Sequence, residues 1–289
     1  MWGDQAWVLA RARIRRPAPV PPFDGDARFS LVTVNFSTTR YLALMLLTLA
    51  EQDALQRVRR IVVVDNDSRD GGLPLLRDLA ARHPAIHLVE NHLVTTHARG
   101  LRLGAAAVDA LDREAERPSN VLLVCDTDVV FRSRRTLGEL AERFAREPAP
   151  AFVGELRRGL YPYPEAQASF FAVRRDCYAR RDVRPFVHHG APAYWMQRSL
   201  WRAGLELDDF PSNHGGYVLH RGRSGVAAAR ARPGDSYATA RFRDPHFMGV
   251  PEGPHVWATI EARHAALLDG PTDVLAAALL ERLADVGRG

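Results

Sequence analysis

Four short apolar runs, each followed by a polar turn, leave the first half of this chain few folds to adopt. They are "FSLVTVNF" at 29–36, "RIVVVDN" at 60–66, "AIHLVEN" at 85–91 and "NVLLVCD" at 120–126. Their centres are nearly continuous in apolar residues, as in strands buried on both faces. Between them lie "TRYLALMLLTLAEQ", "LPLLRDLAARH" and "HARGLRLGAAAVDALDREAE", whose apolar residues recur at helical spacing. Neighbouring parallel strands need a long crossover, and a helix supplies it. The pattern predicts an α/β fold, a Rossmann-like and mostly parallel sheet flanked by helices.

The alternation stops after "RTLGELAERFAREP". "PAFVGEL" and "ASFFAVRR" read as strands joined by the loop "RRGLYPYPEAQ". "APAYWMQRSLWRAG" reads as a helix and "GGYVLH" as a short strand. Residues 221–255 show little periodicity, and "HVWATIEARHAALL" and "TDVLAAALLERLADV" form a helical tail. The expected organisation is a basic, proline-rich leader at 1–27, one half at 28–130, a second half at 131–255 and the tail at 256–289. The tail's helices are also an expected surface for a homodimer.

Composition narrows the function classes. The net charge is +5, and arginine supplies every basic side chain apart from histidine. These arginines are scattered rather than gathered in a stripe, which argues against a nucleic-acid binder. No stretch approaches the roughly 18 apolar residues of a membrane span, so the expectation is a cytoplasmic protein without a transmembrane segment. Cys125 and Cys177 lie in apolar contexts and read as buried hydrophobes. Neither G-x-G-x-x-G nor G-x-x-x-x-G-K-[ST] occurs, which removes the dehydrogenase and P-loop readings.

In a parallel sheet, ligands bind beyond the carboxyl ends of the strands. Val34 and Asn35 close the first strand, Asp65-Asn66-Asp67-Ser68 follow the second, Asn91 the third and Asp126-Thr127-Asp128 the fourth. Any one of these clusters reads equally as a helix cap or Asx turn; four at equivalent places point to a site. Two carboxylates as close as Asp126 and Asp128 raise each other's pKa unless a cation lies between them. Mg²⁺ or Mn²⁺, with oxygen ligands from carboxylates and substrate phosphates, meets that need.

The order of these motifs resembles the family-2 glycosyltransferases, which have the GT-A fold. The likeness rests on "SLVTVNFSTTRYLALMLLTLAEQ", "IVVVDNDSRDGG", the D-x-D of Asp126 and Asp128, "ASFFAVRRDCY" and "YVLHRGRSGV", and spans about residues 29–225. It implies a metal-dependent transfer of a sugar, of hexosyl or N-acetylhexosaminyl type, from a nucleotide diphosphate sugar. A UDP-sugar is the expected donor and the acceptor is open. The nucleotide falls to the first half and the acceptor to the second. The resemblance further implies Asp65 near the base or ribose, the D-x-D on the diphosphate, His220 as a late metal ligand and inversion at the anomeric carbon. Val34, Asn35, Asp67 and Thr127 join the nucleotide-binding set. Arg99, with Arg102 one turn along the same helix, is placed to reach a phosphate bidentately. His214 is the fallback metal ligand.

One departure stands out. Where the family commonly carries an acidic pair at the start of the acceptor helix, this chain has Pro192-Ala193. The nearest titratable side chains are His188 and His189, with Asp208 and Asp209 beyond the helix. His189 is the candidate general base, and Glu155 the second candidate. Trp195, Tyr161 and Tyr163 are candidates to stack on an acceptor, and Trp201 is expected in the core. The rival readings are a nucleotidyltransferase and a non-catalytic nucleotide-sugar-binding module. The first lacks its usual Gly-rich loop, and the second draws support from Pro192-Ala193.

Overall fold

The structure is a computed structural model that describes residues 20, 22–93, 96–157, 164–188, 191–229 and 244–289. His189, Tyr161, Tyr163 and residues 1–19 and 21 of the leader lie outside the described residues.

The four apolar runs are strands β1 (Phe29–Asn35), β2 (Val58–Asp65), β3 (Ile86–Glu90) and β4 (Val121–Cys125), all mutually parallel. Three helices fill the crossovers: α1 (Thr39–Leu49), α2 (Leu73–Arg82) and α3 (His97–Leu111). The register sets Asn35 opposite Asp65 and Asp65 opposite Glu90, so the strands end level and their polar residues share one edge. A short strand β5 (Val129–Phe131) and helix α4 (Thr136–Phe144) follow, then strands β6 (Phe152–Arg157) and β7 (Glu165–Arg174). A single turn of helix, α5 (Arg175–Tyr178), precedes α6 (Tyr194–Arg202) and strands β8 (Leu207–Asp209) and β9 (Val218–His220). The sheet runs β3-β2-β1-β4-β7-β6-β8, with β7 antiparallel to both β4 and β6. Strands β5 and β9 make a separate antiparallel pair.

Alternation along each strand divides the core. Leu31, Val63 and Leu123 face α1 and α2, whereas Val32, Val62, Val64 and Val124 face α3. Every residue of β1 and β4 is buried, as continuous apolar runs demand. Helix α3 lies close enough to the sheet that a Cβ at Gly104 would stand 2.4 Å from Val32 Cγ1. Gly100, one turn earlier, is pressed against Val34 in the same way.

One expectation changes here. Trp201 is 43% exposed rather than in the core, because α6 buries the face that carries Met196, Gln197 and Leu200. The tail forms helices α8 (Gly253–Leu268) and α9 (Thr272–Arg282), after a short α7 (Ser224–Ala229). Their buried side, with Trp257, Ile260, Leu275 and Leu279, packs within the chain's own core, where α8 meets α1 and α9 meets α1 and α2. No described helix is long and apolar enough to cross a membrane.

Candidate active site

The carboxyl edge of the sheet is tied together by its own polar residues. The Asn35 amide donates to Asp65 Oδ2 at 2.9 Å and to Thr39 Oγ1 and Ser68 Oγ at 3.0 Å. Asp65 Oδ1 accepts from the Ser68 N–H at 2.9 Å, and Asn91 donates to Asn66 Oδ1 at 2.7 Å. This bonding bends residues 66–68 into a turn with Asp67 at φ 59°, a left-handed conformation that aspartate tolerates better than most residues. Asp67 keeps its carboxylate near Arg69, at 3.2 Å. Asp70 accepts from the backbone N–H of Thr39 at 2.7 Å, meeting one of the orphan donors at the start of α1.

The fourth loop carries the carboxylates. Thr127 Oγ1 lies 2.9 Å from Thr38 Oγ1, which fastens the D-x-D to α1. Asp128 is buried, with Oδ2 accepting from Ser224 Oγ at 2.6 Å and Oδ1 lying 3.2 Å from His220 Nε2. His220 is brought there by the β5–β9 pairing, which sets it opposite Val129, and its N–H donates to Asn213 Oδ1 at 2.9 Å. His220 Nε2 is also 3.7 Å from Asp126 Oδ2, and His97 Nε2 is 3.3 Å from Asp126 Oδ1. One ligand atom each from Asp126, Asp128 and His220 lies within 4.8 Å of the other two.

The charges here are strongly perturbed. Burial pushes the Asp126 carboxyl up and the Asp128 charge adds to this, against the opposing pull of His97 and His220. Burial also acts on Asp128, yet the His220 charge and the hydrogen bonds from His220 and Ser224 hold it well below the usual carboxylate range. Two carboxylates and one imidazole form an oxygen-rich donor set that suits Mn²⁺ well and Mg²⁺ less well, since nitrogen is not a preferred magnesium ligand. The residues present therefore fit a hard divalent cation.

Residues 30–198 match the family model described as glycosyl transferase family 2. The chain belongs to glycosyl transferase family 2. It is a glycosyltransferase, and its sheet is the GT-A fold on which nucleotide sugars are used. Many solved structures resemble it at the level of the fold. The mannosyltransferase PcManGT from Pyrobaculum calidifontis, in complex with GDP-Man and Mn²⁺, is 20% identical, with TM-score 0.48 over 97% of this chain and 82% of that one. S. aureus TarS 1–349 is 17% identical, with TM-score 0.38 over 52% of this chain and 48% of that one. Its complex with UDP-GlcNAc is 18% identical, with TM-score 0.37 over 48% and 37%. No curated protein matches the sequence.

Other expected site residues of the glycosyltransferase are placed differently. Arg99 is exposed on the first turn of α3, whose start is capped by Thr96, whereas Arg102 is committed to the Phe186 carbonyl at 2.7 Å. Glu155 is not a free base. Its Oε2 accepts from Asn213 N at 2.7 Å, Asn213 Nδ2 at 3.0 Å and Ser212 Oγ at 3.1 Å, while Oε1 meets the backbone and ring of His214. His214 is thereby committed to Glu155 and stands apart from the Asp126–Asp128–His220 group. Asp208 pairs with Arg143 and Arg146, and Asp209 accepts from the Leu156 N–H, so both brace the sheet edge. Trp195 lies under two guanidinium groups, with Arg184 at 4.5 Å and Arg198 at 4.9 Å from its ring.

Three contributors were not singled out in the sequence: His97, Ser224 and Asn213. His97 carried a usable signal, because it opens the helix that follows β3 and so begins at the same carboxyl edge as the other clusters. Ser224 and Asn213 reach the site only through the β9 fold-back, and nothing local in "SNHGG" or "RGRSGV" marks them.

Proposed function

We propose that this family-2 glycosyltransferase moves a sugar from a nucleoside diphosphate sugar, a UDP-sugar, to an acceptor hydroxyl with inversion at the anomeric carbon, and that it requires Mn²⁺ or Mg²⁺. The observation that carries the reading is the convergence of Asp126, Asp128 and His220 at the carboxyl edge. These three would hold the cation. When bound, it supplies charge to offset the negative charge that builds on the departing diphosphate. Asn35 and Asp65 brace the turn of residues 66–68 on which the base or ribose rests, beside Val34 and Asp67. Arg99, at the start of α3, is the side chain for a phosphate oxygen, and Thr127 keeps the two aspartates in register. The acceptor oxygen bonds to the anomeric carbon as the bond from that carbon to the diphosphate oxygen breaks, and the electron pair leaves with the diphosphate. His189 takes the proton from the acceptor hydroxyl.

Calorimetry with UDP, with Mn²⁺ and with excess chelator, tests the reading. Metal-dependent binding that Asp128→Asn abolishes, in a protein with an unchanged circular dichroism spectrum, is the expected result. Equal affinity in both conditions refutes the metal requirement. The non-catalytic alternative is favoured by Pro192-Ala193, where no carboxylate opens α6. Slow donor hydrolysis by the wild type, absent from Asp128→Asn, decides against it.

A further inference from the structure

At the end of the sheet opposite the carboxylates, the first residues of β2 and the turn into β3 line a pocket of about 840 Å³ with residues 280–289 of the chain. Its volume falls in the range of small-molecule sites, about 300–1,000 Å³. The lining is basic. Arg59, Arg60, Arg82, Arg117 and Arg288 face only two acidic side chains, Asp112 and Glu116. Asp112 is already neutralised, holding Arg60 at 2.7 Å and also pairing with Arg175. Arg82, Arg117 and Arg288 pair with Asp78, Asp26 and Asp285 in exposed contacts, which are weak and easily exchanged for a better anion.

Arg59 differs from the others. Its Nη1 is buried and has no hydrogen-bond partner among the described residues. Burial, together with the charges of Arg117, Arg28 and Arg60, pushes its pKa down, the signature of a cation among like charges. A buried donor of a charged group is costly to leave unmet, and five guanidinium groups around one opening suit an anion with several oxygens.

We infer that this pocket binds a small soluble anion carrying more than one phosphate group, with the Arg59 charge at its floor and Arg82, Arg117 and Arg288 closing on it. The ligand is soluble rather than a lipid headgroup because no large exposed apolar side chain lines the opening: Leu93, Trp201 and Val274 all lie elsewhere. The site is separate from the nucleotide edge and does not depend on the catalytic reading.

Inorganic tripolyphosphate is the probe, titrated calorimetrically into the full chain in excess chelator so that no metal-mediated binding contributes. The expected result is one site in the wild type, unchanged in Asp128→Asn. Arg59→Gln should weaken it by about 10- to 100-fold, the loss of the least solvent-screened positive charge at the opening. Arg82→Gln, at an exposed position that folding does not need, should weaken it by a smaller factor and decides the matter if Arg59→Gln melts early. No binding to the wild type, full affinity in both arginine variants, or loss in Asp128→Asn overturns the proposal. Arg59-dependent sedimentation with phosphatidylglycerol vesicles would overturn the soluble ligand.

Discussion

Glu155→Gln separates an anchor from a base, and the structure fixes what each would do. Glu155 sits on β6, and its carboxylate collects donors from Ser212, Asn213 and His214. Asn213 in turn accepts the backbone N–H of His220. The chain of contacts therefore runs from Glu155 through the 212–214 turn to an imidazole that faces both aspartates. Glutamine has nearly the same shape but is neutral, and its amide nitrogen cannot accept. One group of donors, at Asn213 or at His214, must lose its acceptor, and the other bonds lose their charge assistance. Hydrogen bonds to charged groups contribute about 1.5–3 kcal/mol each, so the substitution should destabilise the fold by about 2–4 kcal/mol. At about 2–4 °C per kcal/mol for a chain near this size, the melting temperature should fall by roughly 4–16 °C.

The acid dependence follows from the same contacts. Burial alone would raise the Glu155 pKa, but the Asn213 backbone, the His214 side chain and the Asn213 side chain outweigh it and hold the carboxyl below the usual glutamate value. A depressed pKa contributes stability above the unfolded value, and that stability is lost as pH falls through the folded value. Thermal melts of the wild type should thus lose stability below about pH 4.5, and the Glu155→Gln curve should be flatter over that window. A general base gives a different pair of outcomes, with turnover reduced about 10²–10⁴-fold and the melt unchanged. That combination would refute the anchor assignment.

Asp112→Asn should destabilise the protein by about 3–5 kcal/mol at neutral pH, because it leaves Arg60 and Arg175 half-buried without their shared carboxylate. Burial raises the Asp112 pKa, but Ser119, Arg60 and Arg175 together lower it below 3.8, so urea melts at pH 7 and pH 3 should show the gap to wild type narrowing in acid. Gly104→Ala should cost about 1–3 kcal/mol, since the new methyl would meet Val32 Cγ1 at 2.4 Å; an unchanged denaturant midpoint would mean that α3 can move off the sheet. His189→Ala should lower turnover about 10²–10⁴-fold with donor affinity unchanged, and near-native turnover with the same acid limb in the pH profile would remove this histidine as the base.

The first half of the fold was legible because burial on both faces writes itself into the strand sequence. Runs such as Ile61–Val64 and Val121–Cys125 admit no polar residue and are buried on both faces, whereas the edge strand Ile86–Glu90 buries only Ile86 fully. The D-x-D was legible by position, since Asp126 and Asp128 follow a strand whose neighbours also end in polar residues. Two of the short strands were not. Val129–Phe131 and Leu207–Asp209 span three residues each, too few for alternation to show, and are defined by their partners across the sheet. Glu155 illustrates the same limit from the side of function. A lone carboxylate ending an apolar run reads as a reactive group, and only the fold-back of residues 212–214 reveals that its oxygens are spoken for.

His220 shows how much of the site depends on distant pairing. It lies 92 residues beyond Asp128 in sequence, yet the register Val129↔His220 sets it beside the D-x-D. The same fold-back brings Ser224 to Asp128 and Asn213 to the His220 backbone. Each contact would be weak alone in water, but in a buried setting an unmet carboxylate or amide is expensive. The two aspartates that repel each other therefore demand a positive or hydrogen-bonding partner, and the β5–β9 pair is the element that delivers it. Shortening that pair should loosen His220 and Ser224 together, so the carboxylates and the late histidine behave as one unit.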